Sequence, residues 1–369
     1  MKKTVLIIFC FLIYHFSYSQ KELWGYRNVN DGLIIKAPLE GTNQSPEVMH
    51  TFDATGILGK YPKGRLLEAS NGKLYGIAAY FVNPGTEIPL GVLFEYDPVL
   101  NSYRVLNDDI VNGMEGNLFA LIEPVPGWLY GVTNGGRSIF KYNIETEAAA
   151  IVATIPSFNY NNNPTYPRIN GEIMMASDGN IYGVTSMAPS PQNVPYPGGI
   201  YKLNIATGQL TKIYVFGVNG SDIQDPVYGI TLIEGQPGKL YGTAMGGTHV
   251  GPQGVAPLGS GTLFEYTIAT NTMVKKFDFD YATIGSNPGP LIKSDNKLYG
   301  VLGGLSNNPN NYPNADGSIF EYDLNTQTLT VLYAFEYLAD DQVMSPNGLL
   351  LKASDGKLYG SSLHGNFKF

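Results

Sequence analysis

The sequence predicts an all-β chain folded as a β-propeller, and three observations in it carry that prediction. A Leu-Tyr-Gly tripeptide recurs from one end of the chain to the other. A tight-turn sequence stands just before most copies, and an apolar, aromatic strand follows at a variable distance. The composition agrees: 44 Gly, 24 Pro and 26 Tyr among 369 residues, with only 15% charged, is the profile of many short strands and turns. No stretch sustains a 3.6-residue apolar period.

The tripeptide or a close variant stands at Leu23-Trp24-Gly25, Leu74-Tyr75-Gly76, Leu129-Tyr130-Gly131, Ile181-Tyr182-Gly183, Leu240-Tyr241-Gly242, Leu298-Tyr299-Gly300 and Leu358-Tyr359-Gly360. Successive aromatic positions are 51, 55, 52, 59, 58 and 60 residues apart, so the units are alike in kind and differ in loop length. Each unit holds four strands, A to D, and residues 230–279 show the order. Strand A (230–234) turns through Gly235-Gln236-Pro237-Gly238 into strand B (239–244). A long loop leads to strand C (261–267), and Thr270-Asn271-Thr272 turns the chain into strand D (273–279). Other A–B turns read Ser70-Asn71-Gly72, Ser177-Asp178-Gly179 and Ser354-Asp355-Gly356, where Gly supplies positive φ as tight hairpins demand.

Strand C reads Leu93-Phe94-Glu95-Tyr96, Ile139-Phe140-Lys141-Tyr142, Ile200-Tyr201-Lys202-Leu203, Leu263-Phe264-Glu265-Tyr266 and Ile319-Phe320-Glu321-Tyr322. Apolar side chains on both faces of these strands mean that both faces are covered. Their single charged position is expected on the solvated outside, with an electrostatic ladder as the other reading.

Four antiparallel strands cannot bury two apolar faces alone, and stacking the units radially solves this. Five units are complete, spanning residues 66–107, 118–155, 172–216, 230–279 and 290–335. The N-terminus supplies B, C and D (23–25, 33–36, 48–52), and the C-terminus supplies A, B and a C-like 366–369. Two incomplete end blades make seven, the preferred count; if 349–352 joins the N-terminal strands as their A, the count is six.

Lys2 and Lys3, the apolar run 5–13 and Ser17-Tyr18-Ser19 have the order of a secretory signal. Residues 1–19 are therefore set apart, and 20–369 is expected to form one domain that is exported to the cell surface or medium, with the periplasm as the other compartment. The only cysteine, Cys10, lies in that signal, so no disulfide is expected. No later segment is long and apolar enough for a membrane helix. Removing Lys2 and Lys3 from the 23 basic residues leaves 21 against 31 acidic ones, which disfavours nucleic acid and anionic membranes as partners.

On these residues the sequence resembles the GloVer tandem repeat of exported bacterial proteins. That pattern is a Leu-Ile-x-Ala-Ser-Asp-Gly-Lys-Leu-Tyr-Gly core, a glycine-rich loop and a Gly-Thr-x-Phe-x-Tyr strand, matched best at residues 350–360 and 240–266. The resemblance implies a surface or secreted propeller, often joined to a C-terminal sorting module, and it implies no catalytic residue. No such module is legible before Phe369.

Alternate connections of an up-and-down blade fall at opposite ends, so the short A–B and C–D turns share one face and the B–C and D–A loops share the other. The second set is long: 79–90, 186–198, 245–260 and 303–317 among B–C loops, 156–170 and 217–228 among D–A loops. Such loops hold Tyr80, Phe81, Tyr160, Tyr166, Tyr196 and Tyr312, whose rings beside amide groups suit a glycan or a flat protein surface. A purely structural reading has these rings pinning the loops, as Pro62, Pro167, Pro226, Pro288 and Pro346 do shortly before strand A.

The expected function is thus a binding module for a glycan or protein. The alternative is an enzyme on extracellular polysaccharide, hydrolase or lyase, or a quinone-dependent oxidoreductase, whose groups converge only after folding. No catalytic set is legible: His50, His249 and His364 are scattered and match no zinc pattern. Asp108-Asp109 and Asp340-Asp341 could offer oxygens to Ca²⁺, but no loop alternates acidic ligands, so neither metal nor cofactor is expected. Ser177-Asp178-Gly179 is similar to the Asp-box turn of sialidases without its Thr-Trp. Ala206-Thr207-Gly208-Gln209 is similar to turns of quinone-dependent propellers without their docking tryptophan.

Overall fold

A computed structural model describes residues 22–27, 32–38, 47–52, 59–81, 89–107, 121–133, 136–160, 163–165, 167–169, 171–186, 198–217, 223, 232–249, 259–303, 317–335, 350–352, 357–362 and 365–368. Residues 1–19, expected to be a signal, lie outside them. Among the described residues there is no helix, and every pairing of strands is antiparallel.

The strands form seven sheets and one small hairpin among these residues. The first sheet is β1 (Glu22–Arg27), β2 (Leu33–Pro38) and β3 (Glu47–Thr51); the second is β4 (Lys60–Glu68), β5 (Leu74–Phe81), β6 (Pro89–Asp97) and β7 (Ser102–Asn107). The third holds β8 (Leu121–Val125), β9 (Trp128–Thr133), β10 (Ser138–Asn143) and β11 (Ala149–Thr154), and a hairpin of β12 (Phe158–Tyr160) and β13 (Asn163–Thr165) follows. The fourth is β14 (Arg168–Ile169), β15 (Met174–Met175), β16 (Asn180–Ser186), β17 (Gly199–Asn204) and β18 (Leu210–Val215). The fifth is β19 (Ile233–Gln236), β20 (Lys239–Ala244), β21 (Thr262–Thr267) and β22 (Thr272–Asp278). The sixth is β23 (Ser286–Pro288), β24 (Ile292–Ser294), β25 (Lys297–Gly303), β26 (Gly317–Asp323) and β27 (Thr328–Ala334); the seventh is β28 (Leu351–Lys352), β29 (Leu358–Ser362) and β30 (Gly365–Lys368). Among the described residues β28 pairs with β29.

The core lies between sheets. Six clusters of buried side chains each join two consecutive sheets: Phe52 with Phe94, Tyr75 with Phe140, Tyr130 with Tyr201, Tyr182 with Phe264, Tyr241 with Phe320, and Tyr299 with Leu358. Burying one such side chain contributes roughly 1.5–3 kcal/mol, which no single sheet could gain alone. The inner strands run side by side, β1 against β4, β4 against β8, β8 against β15, β19 against β24 and β24 against β28. Arg65 of β4 and Glu172, just before β15, form a two-pronged ion pair that links the second and fourth sheets past the third. Inner strands two sheets apart can meet in this way only by facing a common centre. The fold is a β-propeller.

The Gly of the tripeptide has a packing reason at Gly76, Gly242 and Gly300, each lying under the Phe of its own strand C. Gly242 pairs with Phe264 in register, and a Cβ there would stand 2.6 Å from the Phe264 ring, which lies over the bare backbone.

Two features depart from the sequence expectation. Strand A begins earlier than 66, 172 and 290, because its first part pairs with the far end of B before an irregularity: Lys60 with Ala79, Arg168 with Ser186, Ser286 with Gly303. Pro62 and Pro288 therefore lie in strands and not in loops. Gly261, at φ 105°, leaves no room for a Cβ, which would stand 2.5 Å from Pro288 Cδ of the next sheet. These prolines seat one sheet against another, and they occupy the inner edge, where the missing N–H costs no ladder bond. Pro167 is buried directly before β14, while Pro226 and Pro346 lie outside the described residues.

The outer strand D carries the second departure. In six sheets its register with C slips at one equivalent place, between Ile34/Ile35, Leu93/Phe94, Ile139/Phe140, Ile200/Tyr201, Leu263/Phe264 and Ile319/Phe320. The extra residue, Met49, Leu106, Val152, Ile213 or Leu332, packs against the seam core. Lys276 takes that place in the fifth sheet, 2.8 Å from Gln327 Oε1 and 3.6 Å from Glu265 Oε2. Such bulges bend an edge strand and blunt it against further pairing.

Candidate binding face

One end of the propeller is closed by its own turns. At the C–D turns, Asp97, Asn143, Asn204 and Asp323 each accept two backbone N–H bonds through Oδ1, at 2.8–3.1 Å. At the A–B turns a glutamate from the next sheet reaches back. Glu123 of β8 accepts from Ser70 N at 2.6 Å and Ser70 Oγ at 2.7 Å, and also from Gly127 N at 2.6 Å. Glu234 of β19 repeats this on Ser177 N, Ser177 Oγ and Gly238 N at 2.7, 2.6 and 2.6 Å. One carboxylate thus caps two turns and ties two sheets together. The shared run Ile-Glu-x-x-Pro-Gly at residues 122–127 and 233–238 was the available signal for this.

Two of the five charged positions of strand C correct the sequence reading, since Glu95 is only 4% exposed and Glu265 only 6%, while Lys141, Lys202 and Glu321 are partly exposed. Glu95 accepts from Tyr75 Oη at 2.7 Å, Lys73 Nζ at 2.8 Å and Arg104 Nε at 2.9 Å. Glu265 accepts from Tyr241 Oη at 2.6 Å and pairs with Lys239 at 3.1 Å. Burial alone would raise the Glu95 carboxyl, yet the bonds from Arg104, Lys73 and Tyr75 outweigh it and hold the group at about 2. Burial and then the bond to carboxylate push the Tyr75 and Tyr241 hydroxyls well above their ordinary range. Where strand C carries lysine, the partners change. Lys202 Nζ lies 3.1 Å from Asp178 Oδ2, which also accepts from Tyr182 Oη at 2.8 Å, and Lys141 Nζ sits 5.0 Å over the Trp128 ring. The turn Ser177-Asp178-Gly179 is thereby accounted for structurally, as is Ala206-Thr207-Gly208-Gln209 by its Asn204 cap.

The opposite end receives the B–C and D–A connections. Its best described corner lies beside β22. Asp278 accepts from Thr248 Oγ1 at 2.7 Å, Thr248 N at 3.0 Å and Lys275 Nζ at 2.8 Å. Partial burial raises its carboxyl, but these bonds leave it lowered. His249 Nδ1 is 4.0 Å from Asp280 Oδ1, and buried Ser260 accepts from Tyr281 N at 3.1 Å. Among the described residues no three His, Cys, Asp or Glu side chains gather to hold a metal ion.

The six aromatic candidates divide as follows. Tyr80 and Phe81 stand in strand and not in loop, because β5 continues its pairing through them to Leu90 and Pro89. The unbroken apolar run 77–82, ending in aromatic and β-branched residues, favours extension of that hairpin. Tyr160 closes the β12–β13 hairpin opposite Asn163. Tyr166, Tyr196 and Tyr312 lie outside the described residues, as do Asp108, Asp109, Asp340, Asp341 and His364.

Solved structures share this architecture. A puromycin hydrolase matches with TM-score 0.53 at 14% identity over 91% of this chain, and the chain spans about half (49%) of that protein. The extracellular domain of BT4673 from B. thetaiotaomicron matches with TM-score 0.53 at 12% identity, over 95% of this chain and 38% of that one. BF1038 from Bacteroides fragilis matches with TM-score 0.54 at 14% identity over 95% of this chain and 96% of its own. At such identities the likeness concerns the fold alone. No curated protein matches by sequence. The family model of the Gloeobacter/Verrucomicrobia repeat, however, matches residues 137–368, well over half the chain, and the protein belongs to that family.

Proposed function

We propose that this propeller is an exported binding module that holds a glycan or a protein on the face of the B–C and D–A connections. The asymmetry of its two ends carries the reading. Each described A–B and C–D link is a tight turn, often capped by a side chain, whereas at the other end the connections 108–120, 187–198, 216–232, 245–261, 304–316 and 335–350 run to a dozen residues or more, beside short ones such as 134–137 and 363–364. A rigid base with long, aromatic loops at one end is the arrangement of a recognition surface. Tyr160, Tyr166, Tyr196 and Tyr312 are its proposed contacts, joined by Tyr80 and Phe81 at the tip of the β5–β6 hairpin.

A glycan array and a pull-down from the organism's surface extract test this, each with the chain and with a variant carrying alanine at Tyr160, Tyr166, Tyr196 and Tyr312. Binding that disappears in the variant supports the reading. Absence of any ligand, or binding that survives the four changes, refutes it. Fractionation with N-terminal sequencing checks export, the expected mature start lying just after Ser19.

A further inference from the structure

The first two sheets meet through a seam of rings that holds one imidazole. His50 of β3 stacks on Tyr103 of β7, with centroids 4.0 Å apart and planes 8° from parallel, and meets Phe52 edge-on at 5.1 Å. Phe52, Phe94 and Tyr103 close the cluster at 5.1–5.6 Å, and Tyr26 of β1 sits 6.4 Å from Phe94. His50 Nε2 is buried and makes no hydrogen bond.

No described carboxylate stands ready to receive a proton-bearing ring. On β3, Glu47 is exposed and pairs with Lys36 of β2 at 3.4 Å. On β6 and β7, Glu95 and Arg104 are engaged with each other. On β4, Arg65 is engaged with Glu172. The titratable neighbours Tyr26 and Tyr103 remain neutral, since burial pushes both hydroxyls up.

We propose that this seam is an acid-sensitive joint: protonation of His50 undocks the first sheet from the second. An imidazolium has two N–H donors, and in this slot one of them would lie among ring carbons. Stacking on Tyr103 returns part of that cost and no more. Burial accordingly lowers the basicity of His50. Because the folded value lies below the unfolded one, docking is at full strength above about pH 6.5 and weakens as pH falls through that value.

The test is amide exchange of the full chain at pH 7.5, 6.5 and 5.5, corrected for intrinsic rates. Peptides covering 22–52 should lose protection on acidification, by up to about tenfold at pH 5.5, while those covering 262–335 keep theirs. His50→Phe keeps a stacked ring without a proton and should abolish the response. The double variant His249→Gln/His364→Gln should retain it. Equal loss across all sheets, or an unchanged response in His50→Phe, overturns the proposal. Should His50→Phe fail to fold, the His50 ring titration by NMR decides instead, and a midpoint at or above the ordinary histidine value overturns it.

Discussion

The Tyr75 hydroxyl donates to Glu95 Oε2 at 2.7 Å, joining the repeating tripeptide on one strand to the charged position of the next. Tyr241 and Glu265 repeat the bond at 2.6 Å in the fifth sheet. In the second sheet Arg104 carries it onward, from Glu95 to Glu147 Oε1 of the third sheet at 2.6 Å. The tripeptide tyrosine therefore fills a seam with its ring and satisfies a nearly buried carboxylate with its hydroxyl.

This bond makes acid stability a property of single residues. The Glu95 carboxyl lies near 2 in the folded chain and near 4.3 in an unfolded one, so its stabilisation is complete above about pH 4.3 and fades as pH falls toward 2. Glu95→Gln should lower stability at pH 7 by about 1–3 kcal/mol and flatten this part of the acid limb. Urea unfolding at pH 7, 4 and 2.5 measures it; a loss of the same size at every pH would contradict the charge-based account.

The turn partner differs between the second and fourth sheets: Asn71 donates to the Tyr75 hydroxyl that binds Glu95, whereas Asp178 pairs with Lys202. Asn71→Asp should therefore destabilise by about 1 kcal/mol through like charge, and Asp178→Asn by a similar amount through a lost pair. Adding Lys202→Glu to Asp178→Asn should recover part of the loss. A double-mutant cycle reads the coupling, and a value of zero would mean that the two positions are independent.

The latches predict additive behaviour. Glu123→Ala and Glu234→Ala each remove three accepted hydrogen bonds at partly hydrated turns, which should cost about 1–2 kcal/mol apiece. They tie different pairs of sheets, so the double variant should show the sum within about 0.5 kcal/mol. Chemical denaturation of the three variants settles this.

Gly261 and Gly238 both have positive φ, but only the first is walled in. A Cβ at Gly238 meets nothing within 4 Å, whereas at Gly261 it would overlap the Pro288 ring of the next sheet. Gly238→Ala should cost about 1–2 kcal/mol of backbone strain, and Gly261→Ala clearly more, with loss of sheet-to-sheet packing. Comparable melting temperatures for the two variants would argue against the proline seat.

Much of the architecture was legible because it is local. The tripeptide, the Ser-Asn-Gly and Ser-Asp-Gly turns and the Leu-Phe-Glu-Tyr strands each report on their own hairpin, and hairpins repeated along a chain leave radial stacking as the way to cover both faces. The early start of strand A was hidden because Lys60 to Lys63 and Ser286 to Pro288 contain proline or turn residues. Their pairing depends on where strand B ends and on a glycine one sheet away. Tyr80 and Phe81 read as loop because their partners, Leu90 and Pro89, lie across the connection.

By itself the sequence determined the order of strands, the tight turns and the end at which long connections gather, since these follow from backbone sterics and two-residue alternation. Only the tertiary structure decided that Glu95 and Glu265 are enclosed, that Glu123 and Glu234 reach back across a seam, and that His50 meets Tyr103. Alternation names the face on which a side chain lies; whether that face is wet or covered depends on the neighbouring sheet, whose partners sit 43 to 57 residues away in the chain.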